Sequence, residues 1–193
     1  MKNNTLIAIT GGIGSGKSTA LEIINELGFS TISCDQITRE LYDKQWFLRK
    51  VKKIFPSAIS GVFVLKADKK LISKEVFSDK VKYEKLNELA TKYIFKIALK
   101  RASKFSNKVF IEVPLLFEND YQHFFDYVIV IMRELDARID SVMARSKLSK
   151  DEVLDRINSQ FNYDNVGDTF FKVYNNGEKE LLKKELITII NKI

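Results

Sequence analysis

The residues Gly11-Gly12-Ile13-Gly14-Ser15-Gly16-Lys17-Ser18, called the phosphate loop below, constrain this chain more than any other stretch. They fit the pattern G-x-x-x-x-G-K-[ST], with an apolar run at 6–9 before them and a helical pattern from Thr19 after them. Glycines let successive backbone N–H groups turn toward phosphate oxygens, and the positive end of a following helix strengthens such an anion site. The pattern predicts that Lys17 reaches the outer phosphates of a nucleotide and that the Ser18 hydroxyl binds magnesium. A glycine turn that carries a lysine by chance is the alternative interpretation.

Composition indicates an intracellular protein with one globular domain. The chain has 193 residues, 45% of them hydrophobic and 30% charged, which is enough for a substantial core. Its single cysteine, Cys34, and single histidine, His123, exclude a disulfide framework and a Cys/His zinc site, so we expect any metal on oxygen ligands. No apolar run approaches the ~20 residues of a membrane span, and the N-terminus has no signal-peptide core. We therefore expect a cytoplasmic protein with no membrane attachment.

The formal net charge of +7 favours anionic partners. The lysines are scattered along the chain, whereas a nucleic-acid-binding protein would collect them in a stripe with interleaved aromatic residues. We therefore expect small polyanions such as nucleotides as partners, and no nucleic acid. The sequence fits a monomer or a small homo-oligomer equally well.

Five short apolar runs predict strands at 5–10, 29–33, 109–113, 127–131 and 170–174. Their residues are nearly all apolar rather than alternating, which is typical of parallel strands buried on both faces, and helical patterns separate most of them. The predicted fold class is α/β, with three layers built around a parallel five-stranded sheet. Ligands of such sheets bind beyond the carboxyl ends of the strands.

Two helical regions are inserted into this pattern. Residues 36–106 exceed what a crossover requires, and we predict a helix start at 73–76 and a helix over 83–104 within them. Residues 134–161 predict a helical hairpin whose second helix starts at a capping box, Ser149 to Glu152. We interpret 1–193 as one domain: a nucleotide-binding core (1–35, 107–133 and 162–193), a helical insertion (36–106) and a lid (134–161).

Two carboxylates follow predicted strands. We expect the strand before Asp35 to lie next to the phosphate loop, where Asp35 would orient a hydroxyl acceptor, accept its proton or bind magnesium through water. The alternative is an N-cap for a helix from Gln36 onward. Glu112, at the end of the third strand, fits an acid near the magnesium ion or an edge residue. Glu118 is a candidate anchor of the following loop through backbone N–H groups.

Three arginines, Arg138, Arg145 and Arg156, lie on the predicted lid. Closure of such a lid brings guanidinium groups to the phosphates of the nucleotide and excludes water from the site. A solvated helix face is the alternative interpretation.

Over nearly its whole length the chain resembles the dephospho-coenzyme A kinase family. The resemblance is carried by the string 10–19, by Asp35, by Val113-Pro114-Leu115-Leu116-Phe117-Glu118-Asn119, by Arg145 with Arg156 and Gln160, and by Asn175-Asn176-Gly177. Many kinases share the form of the first string. The proline-leucine-leucine-aromatic-glutamate string is much more selective.

The resemblance implies transfer of the γ-phosphoryl group of ATP to the ribose 3′-hydroxyl of dephospho-coenzyme A. It implies a P-loop kinase core in which 10–19, including Thr19, holds the donor phosphates and 36–106 holds the acceptor. Asp35 would be the general base or orienting group beside the acceptor hydroxyl, and Arg145 the lid arginine that contacts phosphates. Lys17, Asp35 and Arg145 are thus the predicted catalytic residues. Asn175 and Gly177 would lie near the adenine.

Another small-molecule P-loop kinase, acting on a nucleoside or a nucleotide, is the alternative to this reaction. A guanine-specific switch protein would need an Asn-Lys-x-Asp string, and Asn107-Lys108-Val109-Phe110 lacks its aspartate.

Four residues, at three places in the chain, depart from the family pattern. Ser33 stands where the family often has an aspartate, and Thr91-Lys92 replaces a His-Pro pair that is usual in the insertion. Ser141 replaces a lid arginine, for which Arg138 is a candidate substitute.

Overall fold

The computed structural model describes residues 4–146 and 148–193, without the side chain of Phe77. The strands are β1 (Thr5–Thr10), β2 (Ser30–Ser33), β3 (Ile59–Ser60), β4 (Lys66–Ala67), β5 (Lys108–Glu112), β6 (Tyr127–Met132) and β7 (Phe171–Tyr174). The α-helices are α1 (Lys17–Glu26), α2 (Cys34–Leu41), α3 (Gln45–Ile54), α4 (Lys69–Ser78), α5 (Lys80–Ala102), α6 (Leu135–Ser146), α7 (Lys150–Asn158) and α8 (Lys179–Ile190). Short 3₁₀ turns span Pro56–Ala58, Gln122–Phe124 and Tyr163–Asn165.

The chain divides into two compact units. The first unit comprises the segment up to Ser33 together with Arg101–Ile193, and the second comprises Cys34–Lys100. The first unit contains the five-stranded sheet, in the order β2-β5-β1-β6-β7, and all neighbouring strands are parallel. The predicted α/β class and its five parallel strands are confirmed, and each strand begins and ends within one residue of its predicted bounds.

The expectation that β2 lies next to the strand of the phosphate loop is wrong. Strand β5 separates β2 from β1, with Glu112 opposite both Ser33 on one side and Ile9 on the other. The burial of the strands explains this order. Four of the five residues of β5 are buried, whereas β2 buries only Ile32 and carries hydroxyl side chains, which suits the edge of a sheet.

One face of the sheet packs against α1 and α8. Apolar side chains of β1, β6, α1 and α8 meet there in a continuous core, among them Ile7, Ile131, Ile23 and Leu186, all with at most 1% exposure. Burial of such side chains stabilises the fold by roughly 1.5–3 kcal/mol each. Helix α1 ends as expected before Gly28, whose φ of 88° is left-handed and favours glycine.

The second unit contains α2 to α4, α5 as far as Lys100, and a two-stranded antiparallel sheet, β3-β4. This small sheet was not predicted. The helix start predicted at 73–76 is wrong, because α4 begins at Lys69. Its N-cap is Asp68, whose carboxylate accepts from the backbone N–H groups of Lys70 and Leu71 at 3.0 Å each. The helix predicted at 83–104 is α5, which starts three residues earlier and ends two residues earlier.

Helices α6 and α7 form the predicted hairpin. The capping box at the start of α7 is confirmed in both halves: the Ser149 hydroxyl accepts from the Glu152 N–H, and the Glu152 carboxylate accepts from the Ser149 N–H at 2.8 Å. Ile139, Val142 and Val153 form the buried centre of the hairpin. Nowhere in 4–146 or 148–193 is a helix long and apolar enough to cross a membrane.

Candidate active site

The phosphate loop joins β1 to α1 in a backbone shape that requires glycine. Gly14 and Gly16 have φ angles of 78° and 96°. A Cβ on Gly14 would lie 2.5 Å from the carbonyl oxygen of Arg138, and a Cβ on Gly16 would overlap the side-chain amide of Asn175. The loop therefore excludes larger residues for two independent reasons, conformational strain and lack of space.

Lys17 is the first residue of α1, and its ammonium group folds back over the loop. The Nζ atom donates to the carbonyl oxygens of Gly11 at 2.7 Å and Gly12 at 2.9 Å. These bonds fix a positive charge over the mouth of the loop, beside the positive end of α1. That the ammonium contacts outer phosphates remains a prediction.

Three side chains support the loop through its successive carbonyl oxygens. Arg138 Nε donates to Ile13 at 3.0 Å, Arg133 Nη1 donates to Gly14 at 3.2 Å, and Asn175 Nδ2 donates to Ser15 at 2.9 Å. Since carbonyl and amide groups of a peptide point in opposite directions, these bonds favour N–H groups that face the other side of the loop.

Two of these three supporting residues belong to the predicted site, and the third does not. Arg138 and Asn175 were predicted to bind the nucleotide, and the structure places both against the loop. Burial lowers the pKa of the Arg138 guanidinium, the nearby Asp164 carboxylate opposes this, and the group stays charged. Arg133 was not predicted, because no local motif marks it.

The end of the hairpin also contacts the loop. The Gln160 side-chain oxygen accepts from the backbone N–H of Ile13 at 2.7 Å, and the Ile13 side chain packs against the buried centre of α6 and α7. Gln160 belongs to the strings that carry the resemblance, but the sequence assigned it no role. The phosphate loop and the predicted lid are therefore connected by a hydrogen bond and an apolar contact.

Tyr163 lies under the start of the loop and was also missed. It is buried, its hydroxyl lies 3.4 Å from Thr10 Oγ1, and burial raises its pKa to about 12. Its ring meets those of Phe117 and Phe161. Glu118 accepts from the backbone N–H of Phe161 at 3.0 Å, so the expected anchoring role of Glu118 is confirmed.

Glu112 stands at the centre of a short chain of oxygen atoms. Its carboxylate accepts from the Ser18 hydroxyl at 3.3 Å through one oxygen and from the Ser33 hydroxyl at 2.9 Å through the other. Glu112 is only 3% exposed and lies in a central strand, so its alternative interpretation as an edge residue is wrong. An aspartate at position 33 would face Glu112 directly, and the serine avoids that repulsion.

This arrangement fits a magnesium ion. Hydroxyl and carboxylate oxygens are the donors that magnesium prefers, and the ion usually keeps waters and phosphate oxygens as its remaining ligands. In the described part of the chain, no group of three or more His, Cys, Asp or Glu side chains forms a metal cage. The protein therefore offers a few oxygen donors near the loop and no closed metal centre.

Asp35 is the second residue of α2 and is exposed. The alternative that it caps a helix starting at Gln36 is wrong, because α2 already begins at Cys34. Its carboxylate lies in the first helical turn, where the helix dipole stabilises negative charge. The preceding residue, Cys34, is buried.

The remaining predicted residues lie at the ends of elements. Arg145 is exposed in the last turn of α6, and Thr19 lies in the first turn of α1. Asn176 accepts from the Glu134 N–H at 2.9 Å, which ties the turn containing Gly177 to the start of the hairpin. Contacts of Arg145, Thr19 and Gly177 with a nucleotide stay predictions.

A family model described as dephospho-CoA kinase matches residues 5–178. A dephospho-CoA kinase of Listeria monocytogenes is 31% identical over 195 residues, and the alignment covers 96% of both chains. A dephospho-CoA kinase of Thermus thermophilus is 30% identical over 160 residues, covering 82% of this chain and 76% of the relative. These matches favour the phosphorylation of dephospho-CoA over a nucleoside or nucleotide kinase.

Two solved structures are similar to the whole chain. A crystal structure of a Thermus thermophilus protein has a TM-score of 0.82 with 27% identity and covers 98% of both chains. A structure of the dephospho-CoA kinase from Campylobacter jejuni has a TM-score of 0.71 with 27% identity, covering 98% of this chain and 96% of that one.

Proposed function

The chain belongs to the dephospho-CoA kinase family, and from this premise we propose how its own residues carry out the reaction. The reaction is the phosphorylation of dephospho-coenzyme A to coenzyme A, with ATP as the phosphoryl donor. The observation that carries the proposal is the 3.3 Å distance between the Ser18 hydroxyl, which directly follows Lys17 in the phosphate loop, and the Glu112 carboxylate at the end of β5.

The phosphate loop holds the donor in this proposal. Its backbone N–H groups and the start of α1 bind the phosphates of ATP, while Lys17 neutralises charge on the outer phosphates as the γ-phosphoryl group leaves. Arg133, Arg138 and Asn175 hold the loop in this shape. Because these three side chains are already bonded to loop carbonyl oxygens, they need not rearrange when the phosphates bind.

Ser18 and Glu112 would hold magnesium. When bound, the ion neutralises phosphate charge and helps to position the two outer phosphates. Ser33 donates to the second oxygen of Glu112 and so fixes the carboxylate plane. Asp35, two residues further along the chain, orients the 3′-hydroxyl of the acceptor and accepts its proton.

The hairpin acts as a lid. Arg145 and Arg138 bring guanidinium groups to the phosphates, and the closed lid excludes water that would otherwise hydrolyse ATP. Asn175 and Gly177 lie beside the adenine. The second unit holds the acceptor, and the presence of a single cysteine, Cys34, fits a reducing, cytoplasmic setting.

An acceptor comparison tests the reaction. ADP release is measured with dephospho-coenzyme A, nucleosides and nucleoside monophosphates at equal concentrations, and we expect efficient turnover with dephospho-coenzyme A alone. Equal rates on the other acceptors would contradict the assignment.

A magnesium titration tests the metal site. Glu112→Gln should raise the magnesium concentration at half-maximal rate by about tenfold, since a neutral amide is a much weaker ligand. Glu178→Gln, at the exposed start of α8, is the matched control and should leave the titration unchanged. Identical magnesium titrations for both variants would show that Glu112 does not bind the metal.

A further inference from the structure

A cleft between α3 and α5 in the second unit has no role in the reaction as described above. Its volume is about 430 Å³. Side chains of both helices line it: Lys50, Lys53 and Ile54 from α3, and Lys85, Glu88, Leu89, Lys92 and Tyr93 from α5. Four positive charges and one negative charge therefore face one small volume.

The cleft lysines lack the carboxylate partners that neighbouring lysines have. Within the described residues, no ion pair within 4.0 Å involves any of the four. Two other lysines of α5 do pair: Lys82 with Glu75 at 2.6 Å and Lys80 with Glu84 at 4.0 Å. The positive charge of the cleft is thus concentrated and only partly offset by Glu88, and bound anions would relieve the remaining repulsion.

The spacing of the lysines suits several linked phosphates better than one. Lys85 and Lys92 are seven residues apart on α5, which corresponds to roughly 10 Å along a helix. Lys50 and Lys53 are neighbours on α3, since residues three apart lie about 5–6 Å from each other. Charges spread along two helices in this way favour a chain of two or three phosphates over a single phosphate.

Part of the cleft wall is apolar. Ile54, Leu89 and Tyr93 line it, and Lys50 Nζ lies 5.6 Å from the centroid of the Tyr93 ring. The Tyr93 ring also meets the ring of Trp46 at 4.8 Å and 62°, which holds it in place. An organic group attached to the phosphates has a surface to pack on.

We propose that this cleft binds a phosphoanhydride anion, through its four lysines. Lys92 is one of the two residues that replace the His-Pro pair of the family pattern, so part of this charge is a feature of this chain. The diphosphate has two possible sources: that of the acceptor itself, which would rest on the proposed function, or that of another nucleotide or polyphosphate.

Lysine footprinting tests binding without turnover. The protein is saturated with ADP to fill the phosphate loop, treated with an acetylating reagent with or without inorganic tripolyphosphate, and analysed by mass spectrometry. We expect acetylation of Lys53, Lys85 and Lys92 to slow by about threefold or more, while Lys74 and Lys80 change little. If tripolyphosphate leaves the acetylation rate of all five lysines unchanged, the proposed site is overturned. The proposed kinase reaction would be unaffected by that result.

Variants test the charge argument in both directions. The double variant Lys53→Gln/Lys92→Gln should weaken tripolyphosphate binding by about tenfold, and Lys74→Gln/Lys80→Gln, the matched control, should not. Glu88→Gln should strengthen binding by about twofold, which damage to the fold would not do. Unchanged binding in both cleft variants would contradict the site.

Steady-state kinetics separate the two sources. If the acceptor supplies the diphosphate, Lys53→Gln/Lys92→Gln raises KM for dephospho-coenzyme A and leaves KM for ATP unchanged. If KM for the acceptor is unchanged while tripolyphosphate binding is lost, the cleft takes a different phosphoanhydride. Either result supports the site, provided that tripolyphosphate slows the acetylation of the cleft lysines.

Discussion

The phosphate loop and the lysine cleft are two cationic regions built by opposite means. The loop uses backbone groups and one lysine, and the surrounding side chains already hold each part in place. The cleft uses four exposed lysines with no ion-pair partner among the described residues. Hydrogen bonds from surrounding side chains hold the loop in the conformation that its glycines permit, whereas the cleft depends on long side chains that lose entropy on binding.

The two regions should respond differently to single substitutions. A preorganised site loses a large part of its function when one member is removed, because its other groups are placed for that geometry. A site of flexible charges loses affinity gradually, lysine by lysine. Single substitutions should therefore lower function more in the loop than in the cleft.

Lys17→Ala should lower kcat by about 10³-fold, because it removes the positive charge that the loop holds toward the outer phosphates. Lys184→Ala, in an exposed position of α8, is the matched control and should keep normal turnover. The measurement is kcat at saturating substrates together with the melting temperature of each variant. Normal turnover in the Lys17 variant would contradict the expectation that one substitution in the loop has a large effect on function.

Asp35→Asn should lower kcat by about 10²-fold with little change in ATP affinity, because the amide keeps the shape but accepts no proton. Asp43→Asn, an exposed aspartate of the same unit, is the control. Turnover and ATP binding are measured separately. A lower melting temperature with normal kcat would assign Asp35 a purely structural role in α2.

Gly16→Ala should destabilise the protein by about 3 kcal/mol and weaken ATP binding, because both the φ of 96° and the Asn175 amide exclude a Cβ. Gly28→Ala is a close control: its φ is 88°, but nothing lies within 4 Å of the added Cβ. It should cost only about 1 kcal/mol and leave activity intact. Urea unfolding and ATP binding measure both variants.

The double variant Gly16→Ala/Asn175→Ala separates the two causes. Removing the amide makes space for the Cβ. The double variant should therefore unfold at a higher urea concentration than the sum of the two single effects predicts. Strict additivity would show that backbone strain alone controls this position.

Tyr163→Phe should change the response to alkaline pH, which is the smallest effect. Burial raises the pKa of Tyr163 from 10.0 to about 12, so the unfolded chain loses this proton first. The stabilisation is complete below pH 10 and is lost as the pH rises to about 12, on the order of 2 kcal/mol in total. The variant should lack this part of the decline in urea unfolding between pH 9 and pH 12. Equal declines in both proteins would contradict the burial of the phenol.

Local patterns predicted the parts of the molecule that are contiguous in sequence. The phosphate loop, the five strands and the capping box at Ser149 each depend on residues close together in the chain, and all three are found in the structure. Asp68 carried a similar local signal, an aspartate three residues before Leu71, which was overlooked when α4 was predicted to start later.

The supports of the loop were not predictable in the same way. Gln160 bonds to Ile13 across 147 residues of sequence, and Arg133 bonds to Gly14 across 119. Strand order is equally non-local, which is why the strand before Asp35 was placed next to β1 when β5 lies between them. Such contacts depend on how helices and strands pack together, and no spacing within one segment encodes them.

The bond between Gln160 and Ile13 has a thermodynamic consequence. An incoming phosphate oxygen and the Gln160 side chain are both acceptors, so they compete for the same N–H group of the loop. If the phosphate takes it, Gln160 loses its partner and the end of the hairpin is freed from that bond. Donor binding and the Gln160–Ile13 bond are therefore thermodynamically linked. If the donor weakens this bond by a given factor, a change that fixes Gln160 on Ile13 weakens donor binding by the same factor.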